Sequence, residues 1–183
     1  WYPVGANRWK KGEAEAVPLI EGKMVQMYDH RAANVVMNAD NLHRPAQQEA
    51  SSAAQHADPA FSPTPQFYVS TADVRQQNQD RWVIGFKDVT APTNVRTMIA
   101  AIVPPAGYGN TLPVLYPDEA TTDEEYAKFA PLLLANLNSF VLDFLTRQKV
   151  QGQHVNWYIV EQLPLIRPEQ FEQVLGKTKI ADY

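Results

Sequence analysis

Residues 81–104, "RWVIGFKDVTAPTNVRTMIAAIVP", decide how this chain folds. The run Trp82–Val89 is rich in aromatic and β-branched residues and predicts a strand. Thr90–Asn94, with Pro92 at its middle, predicts a turn, and Arg96–Val103 predicts a second strand. Thr97–Val103 is apolar at consecutive positions, so it should be covered on both faces and sit centrally in a sheet. Pro104-Pro105 and Gly107-Tyr108-Gly109-Asn110 then make a loop, and Thr111–Leu115 gives a third strand.

Upstream, Met24–Tyr28 and Ala33–Met37 predict two strands with a polar joint at Asp29-His30-Arg31. From 38 to 65 the texture changes to Ala, Gln, Ser, His, Asn and Pro. With few large apolar side chains to pack, this stretch is expected as a long, partly disordered loop. Structure resumes at Phe67–Val69, and Ser70 or Thr71 caps a short helix that ends before Arg81. Downstream, the acidic connector Asp118–Glu125 leads into a long helix over 131–149. Its apolar stripe is Leu133, Leu137, Phe140 and Phe144, with Pro131 in the first turn and Arg147 and Lys149 near the dipole's negative end. Gly152 stops it, Val155–Val160 predicts a strand, and Pro168 opens a short C-terminal helix. The expected fold is α+β: a mixed or antiparallel sheet with a long central helix, in one domain over 1–183.

Composition narrows the function. With 45% hydrophobic and 20% charged residues the chain can bury a real core. No run approaches the ~18 apolar residues of a membrane span. Cysteine is absent, which removes disulfides and thiolate metal sites and permits a reducing cytoplasm. The net charge of −4 argues against a freestanding polyanion binder unless Lys and Arg gather on one face. The opening Trp1-Tyr2-Pro3 suggests a piece cut from a longer protein.

Catalytic patterns are incomplete. Asp58-Pro59-Ala60-Phe61 approaches the tetrapeptide of DNA amino-methyltransferases, but it lacks the second proline and follows no apolar strand, so it reads as a turn. Glu21-Gly22-Lys23 is half of a metal-dependent nuclease signature, with no upstream Asp to share a cation. His30, His43, His56 and His154 show no i, i+4 pairing, and no Gly-x-Ser-x-Gly elbow exists. What remains is a set of cations at strand ends and turns: Lys23, Arg31, Arg81, Lys87 and Arg96. Thr90, Thr93 and Asn94 lie between the last two. Cations and hydroxyls on loops suit phosphate and base edges, and equally suit a solvated surface with ordinary ion pairs.

Several blocks occur together in a known order: "PLIEGKMVQMYDHRAANV", "DPAFSPTPQFYV", "RWVIGFKDVTAPTNVRTMIAAIVP" with "GNTLPVL", and "LLLANLNSFVLDFLTRQKVQGQHVNWYIVEQLPL". Over roughly residues 15–170 the chain resembles the C-terminal part of large bacterial adenine-specific DNA methyltransferases. These include type IIG restriction–modification enzymes and phage-defence methylases. The resemblance implies a DNA-specificity segment with no cofactor of its own, beside an N-terminal methyltransferase domain that binds S-adenosylmethionine. It implies double-stranded DNA as partner, no membrane, and a cytoplasmic location. Lys87 and Arg96 would flank a DNA-facing turn bearing Thr90 and Asn94, and Lys23 and Arg31 would touch the backbone or the domain boundary. The alternative is an interdomain docking module without base contacts, which predicts an exposed apolar patch on the order of several hundred Å². An independent enzyme would instead need carboxylates or histidines clustered in a cleft.

Overall fold

The computed structural model describes residues 2–5, 8–37, 40, 46–74 and 81–179. Its centre is a three-stranded antiparallel sheet ordered β10 (Val114–Leu115), β7 (Val83–Phe86), β8 (Ala100–Val103). The register runs from Val83↔Val103 to Phe86↔Ala100. Alternation sends Ile84, Phe86 and Ala100 into a cluster with Leu134, Leu137, Leu142 and Ile159. Val83, Ala101 and Val103 face the other way, onto Ile20, Met24, Val25 and Leu112. Burial on both faces therefore explains the apolar run, as expected. The central position does not follow: β8 is an edge strand and β7 takes the middle.

The face that carries Val83 and Val103 meets Ile20, at the end of β3 (Ala14–Ile20), which belongs to a second sheet with the antiparallel strands β1 (Tyr2–Gly5), β2 (Arg8–Lys11) and β6 (Tyr68–Ser70). The short β9 (Gly107–Tyr108) joins β3 in parallel. Ala16, Pro18 and Ile20 point inward along β3. The chain then crosses the 109–112 loop closely. Gly22 donates its N–H to Thr111 Oγ1 at 3.0 Å, and a Cβ there would lie 2.3 Å from the Thr111 carbonyl oxygen, so only glycine fits.

The strand expected at Met24–Tyr28 is instead one 3-10 turn, Gly22–Met24, followed by a tight turn at Gln26–Asp29. Met24 and Val25 are both buried, and a half-covered strand cannot send successive side chains inward. β4 (Ala33–Val36) forms as expected, but its partner β5 (Gln47–Ala50) lies inside the stretch expected to be a loop, and α1 (Ala53–Ala57) follows it. Main-chain pairing holds β5. A capping box holds α1: Gln55 N–H donates to Ser52 Oγ at 3.2 Å, and Ser52 N–H to Gln55 Oε1 at 2.8 Å. The helix expected before Arg81 falls partly on 75–80, outside the described residues; 71–74 are turn and bend.

Helices cover the opposite face of the central sheet. The long helix expected over 131–149 is two: α2 (Asp123–Leu137) and α3 (Phe140–Lys149), bent by 60°. The acidic stretch expected as a connector supplies the first turn of α2, capped reciprocally by Thr122 and Glu125. Pro131 is interior and exposed, so the carbonyl it leaves free can turn to water. Ser139 caps α3 by accepting from Leu142 N–H at 3.1 Å. The break also rotates the expected stripe apart: Leu137 is buried, whereas Phe140 and Phe144 are 81% and 61% exposed.

In place of the strand expected at Val155–Val160, residues 153–155 bond to the segment that follows β7 (Thr90 N–H to Gln153 O, Val155 N–H to Asp88 O), and α4 (Trp157–Val160) begins. α5 (Pro168–Phe171) is the expected short C-terminal helix, and the hairpin β11 (Val174–Leu175) and β12 (Thr178–Lys179) follows it. The class is α+β. Among the described residues no single helix is long and apolar enough to cross a membrane.

Candidate nucleic-acid interface

The Thr90–Arg96 turn is fastened from beneath by the bend between α2 and α3. Asp143, 6% exposed, accepts Thr97 N–H at 2.7 Å and Met98 N–H at 2.9 Å through Oδ1. Its other oxygen faces Arg147 at 3.2 Å and Arg96 at 3.7 Å. Asn138 uses its side-chain amide as a strand would use its backbone. It accepts Ala100 N–H at 3.0 Å and donates to Ala100 O at 2.9 Å, which closes the outer edge of β8.

Arg96 lies inside this arrangement. Its Nη2 donates to Asn138 O at 3.1 Å, and its guanidinium stacks 4.1 Å from the Phe140 ring centroid. Arg147 donates to Pro92 O and Val95 O, holding the turn itself. Thr90 is buried and accepts from Asn94 Nδ2 at 3.3 Å; Asn94 is exposed. Lys87 is half-buried, and burial lowers its ammonium pKa below the usual range. The structure thus brings Thr90, Asn94 and Arg96 together around one turn, with the guanidinium facing inward.

Arg31 lies elsewhere and has a comparable role. It donates to the carbonyls of His56 (2.9 Å), Asp58 (2.9 Å) and Phe61 (3.4 Å), binding the C-terminal end of α1 and the Asp58–Phe61 turn. Asp29 completes the clasp: Oδ1 accepts Arg31 N–H at 2.7 Å and Oδ2 meets His56 Nε2 at 2.9 Å. His56 Nδ1 meets Ser52 O at 3.0 Å. Both ring nitrogens face oxygens that can only accept, so the imidazolium fits best, and the Asp29 bond raises the His56 pKa. Asp58 Oδ1 accepts Ala60 N–H at 2.8 Å, the side-chain bond of a turn. Lys23 sits between Glu21 (3.3 Å) and Gln66 (3.4 Å).

Exposed cations not picked out from the sequence lie in the second sheet. In the β1–β2–β3 meander Arg8 and Lys11 are exposed, and among the described residues neither forms an ion pair. Between them Lys10 pairs with Glu15 at 2.7 Å, and Trp9 packs on Tyr68 with ring centroids 5.0 Å apart. The signal was the string Arg8-Trp9-Lys10-Lys11, basic residues interleaved with an aromatic. On α3, Phe140, Val141 and Phe144 are exposed, as is Val95 on the adjoining turn. Among the described residues no group of three or more His, Asp or Glu side chains gathers in metal-binding geometry. Comparison with protein families, characterised proteins and solved structures finds no match to this chain.

Proposed function

We propose that this chain is the DNA-specificity segment of an adenine-specific DNA methyltransferase, acting beside a catalytic domain that binds S-adenosylmethionine, in the cytoplasm. The observation that supports it most is the β1–β2–β3 ribbon. Its Arg8 and Lys11 are exposed and, among the described residues, form no ion pair; they lie on β2, next to the outer strand β1 of a five-stranded sheet, where cations can reach phosphate oxygens. The ordered blocks that carry the resemblance have a scaffold role consistent with this reading. Asp29 and Arg31 fasten 56–61, and Asn138 and Asp143 fasten 97–100. DNA contact then falls on the ribbon, with Asn94 as the exposed member of the 90–96 turn.

A second reading, interdomain docking without base contacts, is favoured by the exposed Phe140, Val141, Phe144 and Val95. Duplex binding at low and moderate salt separates the two. Affinity for random duplex that falls steeply with salt supports the DNA reading, because phosphate contacts release counterions. No binding at low salt refutes it.

A further inference from the structure

Between the end of β3, the turn after it and the 59–63 segment lies a cavity of about 420 Å³. Pro18, Ile20 and Met24 form one part of its lining, and Pro59, Phe61 and Pro63 form another. The 59–63 segment is fastened at both ends. Arg31 donates to the carbonyls of Asp58 and Phe61 at its start. At its far end Val35 N–H donates to Thr64 O at 2.9 Å, and Thr64 N–H donates to Asn34 Oδ1 at 3.0 Å. Proline rings at 59 and 63 stiffen the backbone between these anchors. The cavity is therefore a fixed feature of the fold and not slack in a loop.

One polar side chain in the lining has nothing to bond. His30 is half-buried, and among the described residues no hydrogen bond, ion pair or ring contact reaches its imidazole. Neither ring nitrogen is sealed from solvent. Its neighbours are committed elsewhere: Asp29 to His56 and the Arg31 N–H, and Arg31 to three carbonyls. Burial, helped by the Arg31 charge and opposed by Asp29, holds the His30 pKa below the ordinary histidine value. The ring is thus neutral at neutral pH, with one donor and one acceptor. Polar groups inside a protein are nearly always bonded, so an imidazole left open in a cavity marks where a ligand's polar edge goes.

We propose that this cavity binds a purine base, with His30 bonding the nitrogen-bearing edge of the ring. The ligand is uncharged because the walls are mostly apolar, and a charge placed among them would lose its hydration without a free counter-charge. It is flat because proline, methionine and phenylalanine side chains pack well on ring faces. It is small: small-molecule sites span about 300–1,000 Å³, and this one lies at the lower end, suited to one ring system and not to a peptide.

The test titrates the chain with adenine and follows the amides of the cavity lining and the His30 ring by NMR. Wild type, His30→Leu and His30→Gln are compared, with urea midpoints taken in parallel. Leucine fills similar space with no polar atom, so His30→Leu should match or exceed wild-type stability while binding adenine about tenfold more weakly. Glutamine keeps a donor and an acceptor and should restore most of the affinity. Adenosine and a single-stranded oligodeoxyadenylate, whose base faces are free, separate the two sources of the ring. Competition by the strand places the base in nucleic acid, and competition by adenosine alone places it in a free nucleoside. No shift of the lining amides with adenine, or equal affinity in wild type and His30→Leu, overturns the proposal. The proposal does not rest on the DNA reading: adenine binding without duplex binding would refute that reading and leave this site standing.

Discussion

The Thr90–Arg96 turn and the β1–β2–β3 ribbon both carry cations at strand ends, yet the charge goes to different places. At the turn, Arg96 and Arg147 converge on the buried Asp143 and on main-chain carbonyls. On the ribbon, Arg8 and Lys11 remain in solvent. An arginine beside a turn is thus no measure of available charge. What decides is whether a carboxylate or a set of carbonyls from elsewhere in the chain reaches it first. The same holds for Arg31, whose guanidinium serves three carbonyls of the 56–61 segment.

This contrast can be broken most sharply at Asp143. Replacing it with alanine leaves two buried N–H groups without their acceptor and the Arg96 and Arg147 guanidinium groups without their counter-charge. The expected loss is about 3–5 kcal/mol in urea denaturation. Asn138→Ala removes the amide that pairs with Ala100 on both sides and should cost about 1–3 kcal/mol in the same assay. Charge reversal at Lys87 and Arg96, the pair that the resemblance sets beside a DNA-facing turn, is confounded by folding. Arg96→Glu sets a carboxylate against Asp143, so lost DNA binding would report lost folding. Reversal at Arg8 and Lys11 should leave stability within about 0.5 kcal/mol.

A finer prediction concerns the Asp29–His56 pair. Its folded-state imidazole pKa is raised, so the pair's stabilisation is full below the ordinary histidine value and is lost as pH rises through the raised one. Wild type should therefore lose a small part of its stability across that window. His56→Ala should not show this step. NMR titration of the His56 ring in the folded chain, compared with a short peptide, checks the direction directly.

Much of the fold was legible. Apolar runs located β4, β7 and β8, which bury most of their side chains, and Pro168 in the first turn marked the start of α5. The helical break was not legible from spacing, since Leu133, Leu137, Phe140 and Phe144 continue one stripe on paper. What ends α2 there is Asn138, held by a strand 38 residues away. β5 has no apolar alternation to detect, being exposed throughout and held by its main chain. The capping boxes Ser52–Gln55 and Thr122–Glu125 were readable signals that locate α1 and the start of α2. At the site, residue types could be named, but pairing could not. Thr97 meets Asp143 across 46 positions, and no local pattern encodes that contact.

The most direct measurement of the central proposal is duplex affinity, across a salt series, for the wild-type chain and for the double variant Arg8→Glu, Lys11→Glu, with urea midpoints taken in parallel. The expected result is salt-dependent binding by wild type, weakened by about tenfold or more in the variant at unchanged stability. Equal affinity in the two proteins, or no binding by either at low salt, would contradict it.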